Sequence, residues 1–294
     1  MDNAYVSARV RALENNLLGK ELLDSLKGAS NLTECIRLLN NAGIPGEGVE
    51  DILDYLSEQK KELTLELIDN PDDIEILFYK ETFHNLKAAI KQLYVKGENQ
   101  KVFYDDALVD GEHIMRCILH NKYESLPEYM QKPAIDAYKE ILHTGNGQNS
   151  DIIVDKACLE AMMTFAQNTK YEVLKKYAYE TVAASDIKLV LRGNRDVIDM
   201  AFVDCPYFTK EAMIGFAGDK HALEEFLKGI GFADINISNI DSWIEKRILE
   251  MCNTEKYNIF SPGPAICFIL SLEHQLNLIR LILICKANGL KGLL

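Results

Sequence analysis

One helical pattern recurs in this chain at intervals close to a third of its length, and that recurrence restricts the fold more than composition does. Glu81-x-x-x-Asn85-Leu86 leads to Gly97, and Glu273-x-x-x-Asn277-Leu278 leads to Gly289, with one shared spacing: 97 − 85 = 12 and 289 − 277 = 12. Between them, Asp186-Ile187-Lys188-x-x-Leu191-Arg192 copies Asn85-Leu86-Lys87-x-x-Ile90-Lys91 in residue class. The separations, 186 − 85 = 101 and 277 − 186 = 91, lie either side of 294/3 = 98. A companion half-unit recurs too: residues 27–43 and 217–231 both read as helix, small turn, helix, glycine stop. Three similar helical units follow, at residues 1–104, 105–200 and 201–294, with the N- and C-terminal helices free to pack in one of them. Like units close around an axis or stack into a curved surface, and either shape presents a concavity.

The local period is helical almost everywhere. Leu13, Leu17, Leu18, Leu22, Leu23 and Leu26 step by three and four, and Ile36, Leu38 and Leu39 continue the pattern after a small cap at Ser30 or Asn31. Asn70-Pro71-Asp72-Asp73 predicts a helix start, with an Asn cap, proline in the first turn and two acids at the positive end of the dipole. That helix runs through Phe83 and Leu93 to a stop near Gly97. Further helices are expected over 151–164, 171–191, a short pair within 210–230, 241–251 and 264–288. Residues 143–150 read as an exposed loop. Strand-like alternation is confined to 63–67 and 235–237, and neither run has a hairpin turn or a partner. The expected class is all-α.

Charge narrows the possible partners. Against 32 Lys and Arg stand 45 Asp and Glu, a formal net charge of −13, so phosphate backbones repel the chain as a whole and nucleic acid is excluded as a partner. The seven cysteines are odd in number, scattered and without a C-x-x-C pair, and read as reduced core residues of a cytosolic protein. The first residues lack the basic start and apolar stretch of a signal peptide. Residues 264–287 are apolar and long enough to span a bilayer, but Glu273, His274, Gln275, Asn277 and Arg280 interrupt the middle. A central Arg or acid is disfavoured there by about 2.5–3.5 kcal/mol, so the segment reads as a helix buried in protein, with no direct membrane span.

Chemistry-bearing motifs are few. The chain has no G-x-x-x-x-G-K-[ST] phosphate loop, no G-x-S-x-G and no H-E-x-x-H. His113-x-x-x-Cys117-x-x-His120 puts three ligand types on one helix face, but Ile114, Met115, Ile118 and Leu119 make it an ordinary buried helix with polar edges. Glu112, Glu124 and Glu128 read as solvated surface. No catalytic residue, cofactor site or metal site is assigned. The basic residues Arg9, Arg11, Lys87, Lys91, Lys188, Arg192, Arg280, Lys286 and Lys291 admit two readings. One is helix salt bridges and dipole complements, worth a few tenths of a kcal/mol each. The other, for all but Lys291, is a set of partner-binding positions lining a pseudo-threefold concavity that faces an acidic partner.

The two ends of the chain carry a family resemblance. The opening Tyr5-x-x-Ala8-Arg9-Val10-Arg11-Ala12-Leu13, the leucines through Leu26 and Leu39, and the ending Phe260-x-Pro262-x-Pro264-x-x-x-Phe268, then Glu273-x-x-x-Asn277-Leu278-x-Arg280-Leu281-Ile282-x-x-x-Lys286-x-x-Gly289-Leu290, resemble the C-type subunit of prokaryotic V-type ATPases, itself similar to the d-type subunit of eukaryotic vacuolar ATPases. The resemblance implies a funnel of three similar helical domains around a pseudo-threefold axis. It also implies a non-catalytic role on the cytoplasmic face, coupling the D- and F-type subunits of the central shaft to the proteolipid rotor ring in proton or sodium transport. A competing reading, a helical-repeat adaptor with a peptide-binding groove, expects short repeats of roughly 30–45 residues. With its symmetry internal, the isolated chain is expected to be a monomer with a helix-dominated far-UV spectrum; a stable homo-oligomer in light scattering contradicts this.

Overall fold

The computed structural model describes residues 3–95 and 102–290, and these are helical almost throughout. In chain order the α-helices are α1 (Asn3–Leu13), α2 (Lys20–Gly28), α3 (Leu32–Asn41), α4 (Val49–Leu67), α5 (Tyr79–Val95), α6 (Gly111–Leu119) and α7 (Glu128–Thr144). They continue as α8 (Gly147–Asn168), α9 (Glu172–Arg192), α10 (Arg195–Ala201), α11 (Lys210–Met213), α12 (Lys220–Gly229), α13 (Ile240–Glu255) and α14 (Gly263–Ala287). Among the described residues, extended pairing is limited to an isolated antiparallel bridge between Cys205 and Phe208. All seven cysteines are free thiols and buried.

The helices gather into two compact units, Met1–Pro71 with Leu249–Leu294, and Asp72–Ile248. The first draws on both chain ends. Its core joins Leu26, Cys35, Leu39 and Ile52 from α2–α4 to Ile279, Ile282 and Leu283 of α14. Polar ties reinforce the join: Lys286 donates to the carbonyls of Lys27 and Ala29 at 2.7 and 2.5 Å, satisfying orphan acceptors at the C-terminus of α2. Within the second unit, α8 packs against α5, α7 and α9.

Three helices share one construction. Asn31 accepts from the Glu34 N–H at 3.0 Å, Asp110 from His113 at 2.7 Å and Asp219 from Ala222 at 3.0 Å, opening α3, α6 and α12. Each helix ends in a Schellman turn, with Ile44, Lys122 and Phe232 donating five residues back to the carbonyls of Leu39, Cys117 and Leu227 at 3.0, 2.8 and 3.0 Å. The turn residue is left-handed in all three: Gly43 at φ +87°, Asn121 at +54° and Gly231 at +110°. Buried apolar residues stand four and eight positions after the cap, as Cys35 and Leu39, Ile114 and Ile118, Leu223 and Leu227. Sequence comparison finds the first and third copies; the middle one hides because Asn121 replaces the glycine.

The long helices share a second device. Asn85 of α5 clips one residue by both backbone groups: the Tyr104 N–H donates to Oδ1 at 2.7 Å, and Nδ2 donates to the Tyr104 carbonyl at 2.9 Å. Gln275 of α14 clips Leu18 in the same way, at 3.0 and 3.1 Å. On α9, Asp186 accepts from the Val203 N–H at 3.3 Å. Asn85 and Asp186, matched in the sequence repeat, each accept a backbone N–H from a later segment, but in α14 the side chain playing this part is Gln275, because Asn277 is exposed and bonded to Glu273.

Several sequence expectations shift. The leucine run 13–26 is broken after Leu13 by a 3-10 turn and an extended Leu17, since the Leu18 backbone is engaged by Gln275 and Gly19 opens α2. The helix expected from Asn70 begins instead as a 3-10 turn, Pro71–Phe78; Ile76, Leu77 and Phe78 are consecutive and all buried, which no single α-helical face accommodates. Residues 143–150 form a tight corner, with Gly145 at φ +67° and Asn146 capping α8. The alternating run 63–67 lies in α4, where Thr64 and Leu67 are buried one turn apart. The stop at Gly97 lies outside the described residues.

Replacing the buried Asn85 by Ala removes both halves of its clip on the half-buried Tyr104 backbone and is expected to lower unfolding stability by about 2 kcal/mol. Asn277→Ala is expected to stay within about 0.5 kcal/mol. Equal urea midpoints for the two variants would overturn the assignment of Asn85 as the clip.

Candidate partner-binding residues

The basic residues singled out by the sequence are mostly engaged within their own unit. In the first, the Arg9 Nε lies 2.6 Å from Glu66 Oε1, and this bond holds the guanidinium above its ordinary pKa. Arg11 pairs with Glu14 at 2.8 Å, donates to the Lys256 carbonyl at 2.9 Å and lies over the Tyr257 ring at 4.8 Å. Arg280 donates to Asn277 at 3.0 Å. Lys286 holds the end of α2, as above. Lys291 lies outside the described residues.

In the second unit, the repeat-related lysines make ion pairs between helices rather than along one. Lys87 reaches Asp155 at 2.6 Å and Lys91 reaches Asp151 at 2.7 Å, both from α5 to α8. Lys188, the counterpart of Lys87, reaches Asp241 of α13 at 2.7 Å. Arg192 in the last turn of α9 is exposed, with no ion pair to any described residue. These pairs are solvent-facing, with Asp241 75% exposed, so each is worth at most about 1 kcal/mol. A partner that offers acids can draw such lysines away at little loss.

Two other pairs, each with one buried and one half-buried partner, were not visible in the sequence. Lys60 of α4, 3% exposed, meets Glu273 of α14 at 2.6 Å. Glu180 of α9 receives Arg247 of α13 bidentately at 2.7 and 2.6 Å, and the Tyr207 hydroxyl donates to it at 2.8 Å. The Arg247 guanidinium lies 5.0 Å from the ring centres of both Phe232 and Trp243. Glu180 at its edge and the two adjoining rings hold Arg247 in place, and Glu180 keeps its pKa raised. Only the lone tryptophan and a Glu-to-Arg separation of 67 residues were available as signals, and neither specifies a contact.

A cavity of about 700 Å³ opens in the second unit between α7 and α8. Its floor includes Tyr79, whose hydroxyl donates to Glu75 at 2.7 Å, and Tyr129, with ring centres 5.0 Å apart. Burial pushes both phenols well above their ordinary range, so neither is set up as a base or nucleophile at neutral pH. His113 Nε2 lies 3.5 Å from Cys117 Sγ, and burial raises the Cys117 thiol; His120 is exposed at the helix end. Among the described residues no three His, Cys, Asp or Glu side chains cluster as a metal site.

Against protein-family models, the one described as ATP synthase (C/AC39) subunit matches residues 6–292. The chain belongs to this family. No curated protein matches it. Membership makes the chain an accessory subunit of a V/A-type ATP synthase, part of a membrane-associated complex. Two features acquire interest in such a subunit. Helix α14 is long and apolar enough to cross a membrane by length and composition, and half of its most apolar window is buried within the protein. Just before it, a loop leaves Tyr257 66%, Ile259 45% and Phe260 88% exposed.

Lys87→Ala and Lys91→Ala are each expected to change stability by less than about 1 kcal/mol. Lys60→Ala leaves Glu273 without that cation and is expected to lose about 3 kcal/mol. Chemical denaturation of the three variants compares them directly; equal losses would contradict the division into exposed and buried pairs.

Proposed function

We propose that this chain is the non-catalytic central-stalk subunit that couples the rotating shaft of the V-type ATPase to its membrane rotor ring, on the cytoplasmic face. The observation that carries the reading is the threefold recurrence of one capped helix, in α3, α6 and α12, in a chain of the ATP synthase (C/AC39) family. Three like units with internal pseudo-threefold symmetry suit a part that receives the D- and F-type shaft subunits in a funnel mouth and rests on a ring of proteolipids. In this reading the repeats follow the divisions 1–104, 105–200 and 201–294, while the helices of the two chain ends pack together in the compact unit of residues 1–71 and 249–294. In this reading the protein is peripheral, and the burial of Ile279, Ile282 and Leu283 in a packed core supports α14 as a helix of the protein interior rather than a membrane span.

Torque transmission needs stiffness rather than chemistry. Close-packed helices supply low compressibility, and the clips at Asn85 and Gln275 fix connecting segments against the long helices. The basic positions Arg9, Arg11, Lys87, Lys91, Lys188, Arg192, Arg280 and Lys286 are the contacts proposed for acidic surface on the shaft. Their exposed pairs exchange internal acids for external ones at small net change.

Size-exclusion chromatography of the chain with the cognate central-stalk subunits, at low and at physiological salt, tests this. Co-elution that weakens as salt rises is the expected outcome, because contacts between exposed charges are screened over about 8 Å at 0.15 M. Double substitution Lys188→Glu with Arg192→Glu is expected to weaken it further. Separate elution at both salts, with folded stalk subunits, counts against the coupling role.

A further inference from the structure

The three clips on the long helices are not chemically equal. At Asn85 and Gln275 an amide supplies both halves of the clip, its oxygen accepting a backbone N–H and its nitrogen donating to a backbone carbonyl. At Asp186 the first half is present, with Oδ1 taking the Val203 N–H at 3.3 Å. The second half is not: Asp186 is fully buried and its Oδ2 has no hydrogen-bond partner. A carboxylate has nothing to donate, whereas a neutral carboxylic acid presents one acceptor and one O–H donor, as an amide does. Leaving a buried charged oxygen unpaired is strongly unfavourable, and a proton on it removes the penalty.

The surroundings agree. Burial pushes the Asp186 acid up to about 8; the Val203 N–H pulls it down only in part, and the nearby Asp204 carboxylate raises it further. The titratable groups that face it are Asp204 and the Cys205 thiol, itself raised to about 11 by burial. Of the elements packed on α9, α8, α10 and the 3-10 turn Ile214–Phe216 bring no charged group that moves the Asp186 acid, and the charges by which α13 reaches α9 are engaged elsewhere, Asp241 with Lys188 and Arg247 with Glu180. Lys188, two residues further along α9, is turned to Asp241.

We propose that Asp186 is held as the neutral acid and acts as a pH-sensitive latch: residues 202–208 stay packed over it while it is neutral, and loss of the Oδ2 proton leaves a buried, unpaired charge that is relieved by opening that segment to water. Those residues include the Cys205–Phe208 bridge and lead into α11, so the latch governs the link between the long helix and the short helices that follow it. The sign follows from linkage. A folded-state value raised above the unfolded one means that the native chain holds more protons between about 4 and 8, so stability falls as pH rises through that window and levels off above it.

Asp186→Asn in the full chain keeps the shape and the Oδ1 acceptor and removes the buried charge at every pH. Its melting midpoint is expected to exceed that of the parent by about 4 °C or more at pH 8.5, with the gap closing toward pH 5. A gap that does not vary with pH, or a variant less stable than the parent throughout, overturns the proposal. Should the variant fail to fold, infrared difference spectra of the parent decide. The carbonyl stretch of a protonated carboxylic acid must be present at pH 7 and lost as pH passes 8, and its absence at pH 7 refutes the latch.

Discussion

An all-helical chain satisfies its backbone inside helices, and its weak points are the segments between them, where N–H and C=O groups have neither a helix turn nor a strand ladder to bond to. The clips on the long helices answer that constraint. A side chain of α5 or α14 does for one residue what a neighbouring β-strand does for many, pairing its N–H and its C=O at once. The segments so held set where the next capped helix begins: Asp110 opens α6 six residues after Tyr104, and Gly19 opens α2 directly after Leu18. Packing of apolar faces supplies most of the stabilisation, but these few polar contacts fix which helix follows which at what position.

Much of this is written in the sequence in readable form. Helical period, the Asn31 and Asp219 caps and the glycines at 43 and 231 are local signals, because propensity and left-handed turns depend on the residue itself. What fails to show is whatever depends on a distant partner. Asn277 matches Asn85 in spacing and class, yet the geometry chose Gln275, two residues earlier, since only packing decides which side of α14 faces Leu18. Lys60 reads as one more surface lysine until Glu273, 213 residues away, is placed beside it. The 3-10 opening of α5 is likewise a tertiary effect, since Asn70-Pro71-Asp72-Asp73 has every local mark of an α-helix start.

The charge pattern separates structural from available electrostatics. Glu180 with Arg247, and Lys60 with Glu273, are desolvated and geometrically fixed, so they specify helix pairing and have no capacity to serve a partner as well. Lys87, Lys91 and Lys188 bridge helices at the surface, where water competes and the pairing is nearly neutral. In a chain of net charge −13, such loosely held cations are the positions proposed above as contacts for an acidic surface on the shaft.

The first unit is made from both ends of the chain, with residues 72–248 intervening. During synthesis its N-terminal helices emerge long before α14, and at about 5–20 residues per second the delay is roughly 10–35 s. Over that interval Leu26, Cys35, Leu39 and Ile52 lack the surface that covers them in the finished protein, while the continuous second unit has all its parts in hand. The nascent chain therefore carries an apolar, open-sided helical cluster at its leading end. A ribosome stalled before α14 leaves a species whose exposed leucines invite chaperone capture or aggregation.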